Sequence, residues 1–233
     1  MRQPVIDQMN DVNKKALTGF LKLIVVVAVS LFAASGTVKY WQAWVFLVVF
    51  FGSALAITFY LAKNDPKLLE RRINAGPGGE KEKSQRIIQF IAAIAFVATL
   101  MVPALDHRFG WSNVLPYVCI LGDIMVALGF LAVFFTFREN TFASAIIEVG
   151  SEQKIISTGP YALVRHPMYI GALVMLLGIP LALGSWWGLL TIIPMTLVIV
   201  WRLLEEEKFL AENLSGYSDY QNKVKYRLLP FAW

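Results

Sequence analysis

The chain has 233 residues, of which 57% are hydrophobic and only 16% charged, and it carries a net charge of +5. That excess of apolar side chains is more than a soluble core of this size needs, so the sequence reads as a polytopic membrane protein, and the basic balance as a topology signal, with no nucleic-acid partner expected. The single cysteine, Cys119, excludes an intrachain disulfide, and the two histidines, His107 and His166, are too far apart in sequence to suggest a Cys/His zinc site, so no metal is expected.

Residues 1–16 are polar, with Lys14 and Lys15 before the first apolar run, and read as a cytoplasmic tail or a short surface helix. Residues 17–35 are long enough to span, with Lys22 snorkelling to the near interface. The long polar lead and the weak cleavage pattern at Leu31-Phe32-Ala33-Ala34-Ser35 favour a retained span over a signal peptide. A short turn leads to a second span over 41–61, making a helical hairpin.

The stretch 62–86 turns hydrophilic, with Asn64-Asp65-Pro66 as a stop, then Lys67, Glu70, Arg71 and Arg72, and the loop Gly76-Pro77-Gly78-Gly79. That loop lacks a preceding strand and a following Gly-Lys-Ser/Thr, so it reads as a connector and not as a phosphate cradle. Residues 87–105 make a third span, and the connector that follows gives His107 no catalytic role. Residues 114–137 make the fourth, carrying Asp123 at a depth where a carboxylate is expensive. Both a functional and a helix-packing role for Asp123 stay open.

Two further apolar stretches, 168–183 and 186–204, are joined by Gly184-Ser185 and form a last hairpin, short enough to be tilted or partly re-entrant. The tail, 205–233, alternates charged and apolar residues at helical spacing and is expected to lie at the membrane surface and fold back under the bundle. The expected fold is therefore all-α, a bundle of about six membrane helices with a cytoplasmic C-terminal amphipathic segment. Residues 1–137 would form a four-span scaffold and 138–233 the functional core. With six crossings, only Lys39 and Arg108 of the 21 basic residues fall on one side. The positive-inside rule then puts both termini, the loop before 168 and the acidic cluster after 204 in the cytoplasm.

That loop holds the densest chemistry in the chain: Gly159-Pro160-Tyr161, then Arg165-His166-Pro167-Met168-Tyr169 and Gly171. His166 precedes a proline and is pushed out of the helical region, while Pro167 suits the first position of a helix. A helix start there would offer free N–H groups and a positive dipole end to an anion. After the last span, Arg202 and Glu206 are four apart and share a helix face, and a simple i, i+4 ion pair is the plainest reading of them. By the same count Glu205 and Glu207 point elsewhere.

Taken together, these strings, with Glu206-Glu207-x-x-Leu210, Gly216, Tyr220 and Leu229-Pro230, resemble the isoprenylcysteine carboxyl methyltransferases and related phospholipid methyltransferases. The resemblance covers roughly the last 80 residues, and between Leu210 and Gly216 the chain holds one residue more than the prenylcysteine enzymes. It implies an integral membrane enzyme using S-adenosyl-L-methionine, in a cytoplasm-facing pocket closed by the C-terminal segment. A lipophilic acceptor would enter from the bilayer, with an isoprenylcysteine-type carboxylate favoured.

By that resemblance Gln153, Lys154, Ile155, Ile156 and Tyr161 surround the adenosine, while His166, Pro167, Met168 and Tyr169 meet the amino-acid part of the cofactor. Glu206 is the cofactor-binding acid and Arg202 orients the acceptor; Arg202, Glu206 and His166 are the implied catalytic group. A thiol or amine acceptor would need a proton acceptor, for which His166 and Tyr169 stand nearest. Two rivals stay in view: an NADPH-dependent enzyme of the sterol-reductase type, and a non-catalytic membrane carrier or partner protein.

Overall fold

The structure, a computed structural model, describes residues 2–73, 78–80, 82–150 and 153–233, and its regular elements are all helices among those residues. Gly76 and Pro77, expected in the connecting loop, lie outside the described residues. The order is α1 (Arg2–Ser35), α2 (Trp41–Asn64), α3 (Pro66–Ile73), α4 (Lys83–Phe109), α5 (Pro116–Glu139), α6 (Pro167–Ala182), α7 (Ile192–Asn213) and α8 (Tyr217–Lys223). Single 3-10 turns cover Gly159–Ala162 and Trp187–Thr191.

Five stretches are long and apolar enough to cross a membrane: Asp11–Ser35, Trp41–Asn64, Lys83–Phe109, Pro116–Glu139 and Trp187–Asn213. Their outward side chains are bare of protein, as at Val48 (73% exposed), Phe59 (67%) and Leu197 (65%). An apolar exterior of that kind needs lipid around it, so the chain is an integral membrane protein. The sixth apolar helix, α6, has 16 residues. At 1.5 Å rise per residue it is about 24 Å long, less than the ~30 Å hydrocarbon core.

Helix α6 packs most closely on α5, antiparallel to it, whereas α7 packs chiefly against α4. Helices α6 and α7 are thus joined by the short 183–191 connection but turn to different neighbours. Glycines set the α5–α6 approach. A Cβ on Gly122 would sit 2.2 Å from the backbone nitrogen of Ala182, and one on Gly171 would sit 2.8 Å from the carbonyl oxygen of Gly129. Gly122→Val is therefore expected to force the two backbones apart and to cost roughly 1–3 kcal/mol, the usual range for overpacking. A lowered melting temperature of the detergent-solubilised protein is the check, and an unchanged one would refute it.

Two expected boundaries move. The polar N-terminal residues are not a separate tail but the first turns of α1, held because Val12 packs with Leu61, Leu68, Leu69 and Phe137. The acidic cluster likewise extends the last membrane helix to Asn213, and the chain turns only at Gly216, whose φ of 81° favours glycine. Short α8 and an irregular 224–233 segment then return beneath the loop before α6.

At the other end of the bundle, buried Asp106 closes a knot. Its carboxylate accepts hydrogen bonds from Ser112 N and Oγ and from Ser185 Oγ. Nearby Tyr40 donates to the Leu183 carbonyl and stacks on His107 at 4.0 Å. His107 is thereby a packing residue, far along the chain and the fold from the site described next.

Candidate functional site

The site begins with a clamp between the loop before α6 and the C-terminal segment. Arg165 N and His166 N donate to the carbonyls of Tyr226 and Arg227, at 2.9 and 3.0 Å. The Arg165 side chain donates from Nε to Glu207 at 2.6 Å and from Nη1 to the carbonyls of Val224 and Lys225. Glu207 also meets His166 Nε2 at 3.1 Å and Arg227 Nε at 2.9 Å. One buried carboxylate thus ties together the loop, the last membrane helix and the tail. Pro167 opens α6, as a proline at the first helical position should.

Above this clamp lies an open cleft of about 810 Å³ counting its mouth. Its floor and walls come from three places: the 140–156 segment, the start of α6 and the end of α7 with α8. Gln153, Lys154, Ile155, Ile156, Tyr161, His166, Met168, Tyr169 and Glu206 all line it, with Tyr217 and Tyr220 at the C-terminal side. Burial pushes the Tyr161 phenol up to about 12, against the hydrogen bond from Asn140, and burial raises Tyr217 and Tyr220 as well. These phenols are therefore protonated donors at neutral pH. Tyr220 uses its proton on the Tyr161 carbonyl.

A second, larger cavity adjoins the cleft and is mostly apolar, about 1200 Å³ counting its opening. Its walls include Ala54, Ile57, Phe130, Val133, Phe137, Ala172 and Met175, and its polar end holds Arg72, Gln89, Arg202 and Glu206. The two cavities share Met168, Tyr169 and Glu206. At that junction Tyr169 donates its phenolic proton to Glu206 at 2.7 Å.

Nine of the ten residues expected around a cofactor therefore line one cleft. Pro167 does not: it is buried at the head of α6, where its fixed φ serves the fold. Arg202 is in the apolar cavity, and it does not pair with Glu206. It meets Glu80 at 2.8 Å, Gln85 at 3.0 Å and the Ala145 carbonyl at 3.1 Å. Glu207, expected to point away, faces the loop, because α7 turns about 100° per residue and its 203/207 face is the one that meets the loop and tail. His166 lines the cleft with Nε2 already engaged by that acid. Asp123 lines neither cavity; it is buried in α5 with no hydrogen-bond partner among the described residues.

Sequence reasoning missed Glu80, Arg72, Asn140 and Glu207 as members of this region. For Glu207 a signal existed, since Arg165 next to His166 would need an acid if buried, and the 205–207 cluster offers one. For Glu80 and Arg72 none did.

Residues 117–216 match the phospholipid methyltransferase family. The chain is also 27% identical over 135 residues to a protein-S-isoprenylcysteine O-methyltransferase of Tribolium castaneum, an alignment covering 55% of this chain and 45% of that protein. The chain thus spans under half the length of the curated relative it matches.

Proposed function

We propose, from the match of residues 117–216 to the phospholipid methyltransferase family, that the protein is an integral membrane methyltransferase using S-adenosyl-L-methionine. Its acceptor is lipophilic, with an isoprenylcysteine-type carboxylate the favoured class. The observation that carries this reading is the junction of a polar, phenol-rich cleft with an apolar cavity at Met168, Tyr169 and Glu206.

The cleft residues suit such a cofactor. Ile155, Ile156, Leu210 and Leu214 offer apolar faces for a purine, and Tyr161 an aromatic one. Glu206 brings a carboxylate whose only hydrogen bond among the described residues comes from Tyr169. When bound, the cofactor supplies an electrophilic methyl group on a sulfonium. The negative charge of Glu206 would favour that cation in a partly dry site, and the remaining work of the chain is in-line positioning.

Among the described residues at the junction no strong base stands free: the Tyr169 hydroxyl donates a hydrogen bond to Glu206 and is itself buried, and His166 faces Glu207. An acceptor carboxylate, deprotonated before it arrives, asks least of such a site. A groove between α2 and α5, lined by Ser53, Tyr60, Leu131 and Phe134, shares Ile57 and Phe130 with the apolar cavity and would admit the lipid from the bilayer. The skew of basic residues supports a cytoplasmic cleft with both termini on that side.

Calorimetric titration with S-adenosylhomocysteine tests the reading. Saturable binding is expected, weakened about tenfold or more, some 1.4 kcal/mol, by Glu206→Gln. Folded protein that binds none would overturn the proposal and direct the titration to NADPH.

A further inference from the structure

The polar end of the apolar cavity gathers two guanidiniums, Arg72 and Arg202, around Glu206, with Glu80 beside Arg202. Arg202 is paired with Glu80, whose carboxylate is 1% exposed and also accepts from Ile147 N. Glu206 stands at the junction, hydrogen-bonded to Tyr169 and shared with the cleft. Arg72, from α3, is the remaining cation. It makes no ion pair among the described residues, and its contacts are one-sided: Nη1 donates to the Ser144 carbonyl at 2.9 Å and lies 3.9 Å from Met168 Sδ, while the guanidinium sits 5.0 Å from the Phe137 ring centroid. Nε and Nη2 have no hydrogen-bond partner among the described residues.

A guanidinium keeps its charge when buried, and desolvation here works against it, lowering its affinity for the proton. Tyr169 and Glu206 favour that charge from nearby, but neither hydrogen-bonds the guanidinium among the described residues, so its free donors suit an added anion. Its place is also built, not incidental. Leu68 and Leu69 of α3 pack into the cluster with Val12, Leu61 and Phe137. The neighbouring Arg71 fastens α3 to the Thr141 carbonyl, and Ala145 N donates to the Arg71 carbonyl. The Phe137 ring, 5.0 Å from the guanidinium carbon, lines the same cavity as Arg72 and packs against it there.

We infer that Arg72 is the specificity residue that selects an anionic group on the lipophilic acceptor, gripping it through Nε and Nη2 at the polar end of the apolar cavity. The inference rests on the methyltransferase reading for the word acceptor, and it moves that task from Arg202, already neutralised by Glu80, to a residue outside the family-matching segment. A planar carboxylate fits the two free donors of the fork.

The test is binding of N-acetyl-S-farnesylcysteine and of its neutral carboxamide to the full chain in detergent, with S-adenosylhomocysteine titrated in parallel. Wild type is expected to bind the acid at least about tenfold tighter than the amide. Arg72→Gln should bring the two within about twofold by weakening the acid alone, leave S-adenosylhomocysteine binding as it was, and Arg72→Lys should restore part of the preference.

A variant that loses acid and amide together would show Arg72 to be only a strap for the 141–145 segment. Retained preference in Arg72→Gln, or a wild type that binds neither or both alike, would also overturn the inference. Failure of the methyltransferase reading shows separately, as absent S-adenosylhomocysteine binding with the acid preference intact.

Discussion

Glu207→Ala is expected to cost about 3–5 kcal/mol and to abolish cofactor binding with it. The carboxylate is buried and answers three groups, Arg165, His166 and Arg227. Removing it strands the Arg165 guanidinium, itself buried, with only carbonyl partners, and a buried charge stripped of its counter-ion is among the costliest single changes a protein can suffer. The loss also propagates. The pairing of Arg165 and His166 with Tyr226 and Arg227 depends on the same clamp, and the loop it fixes carries Tyr161 and the start of α6 into the cleft.

Melting in detergent and S-adenosylhomocysteine titration should therefore fall together. Glu206→Gln, one residue away, should lose affinity with much less change in melting, because Glu206 makes one hydrogen bond, to a phenol, and no ion pair with a guanidinium among the described residues. Equal effects of the two variants on melting would refute the division of labour between neighbouring acids.

That division shows what the sequence could and could not say. The start of α6 was readable because His166-Pro167 restricts its own backbone, and the spans were readable because the bilayer demands length and apolarity from each helix alone. Helix-face arithmetic correctly separated Glu206 from Glu207, but it could not say which face meets the loop, since that depends on how α7 leans on α4. The glycines were half legible: Gly171 and Gly178 stood out, and Gly122 and Gly129 have the same seven-residue spacing on α5, so the match between the two helices was open to view.

Glu80 and Arg72 were not legible. They come from a hydrophilic connector that looked like any solvated loop, and only the packing of α3 against α1 and α2 carries that connector under the site. Local pattern reports what a segment can bury, whereas the partner of a buried charge is decided by the whole fold.

The pair Arg202 and Glu80 gives the second large effect and separates structure from chemistry. Arg202→Met is expected to cost about 3–5 kcal/mol, because it leaves the Glu80 carboxylate buried without its cation and with Ile147 N still donating to it. An inactive Arg202 variant would then say nothing about catalysis, since misfolding would explain it. Adding Glu80→Gln removes the stranded charge and leaves a side chain that can still accept from Ile147 N. The double variant should recover at least about half of the lost stability, a coupling of ~1.5 kcal/mol or more by a double-mutant cycle. Methyl transfer should stay at background in the refolded double variant if Arg202 shapes the acceptor end of the apolar cavity. Transfer that returns in step with melting would reduce Arg202 to the partner that keeps Glu80 buried, and would leave the polar end of the cavity to Arg72.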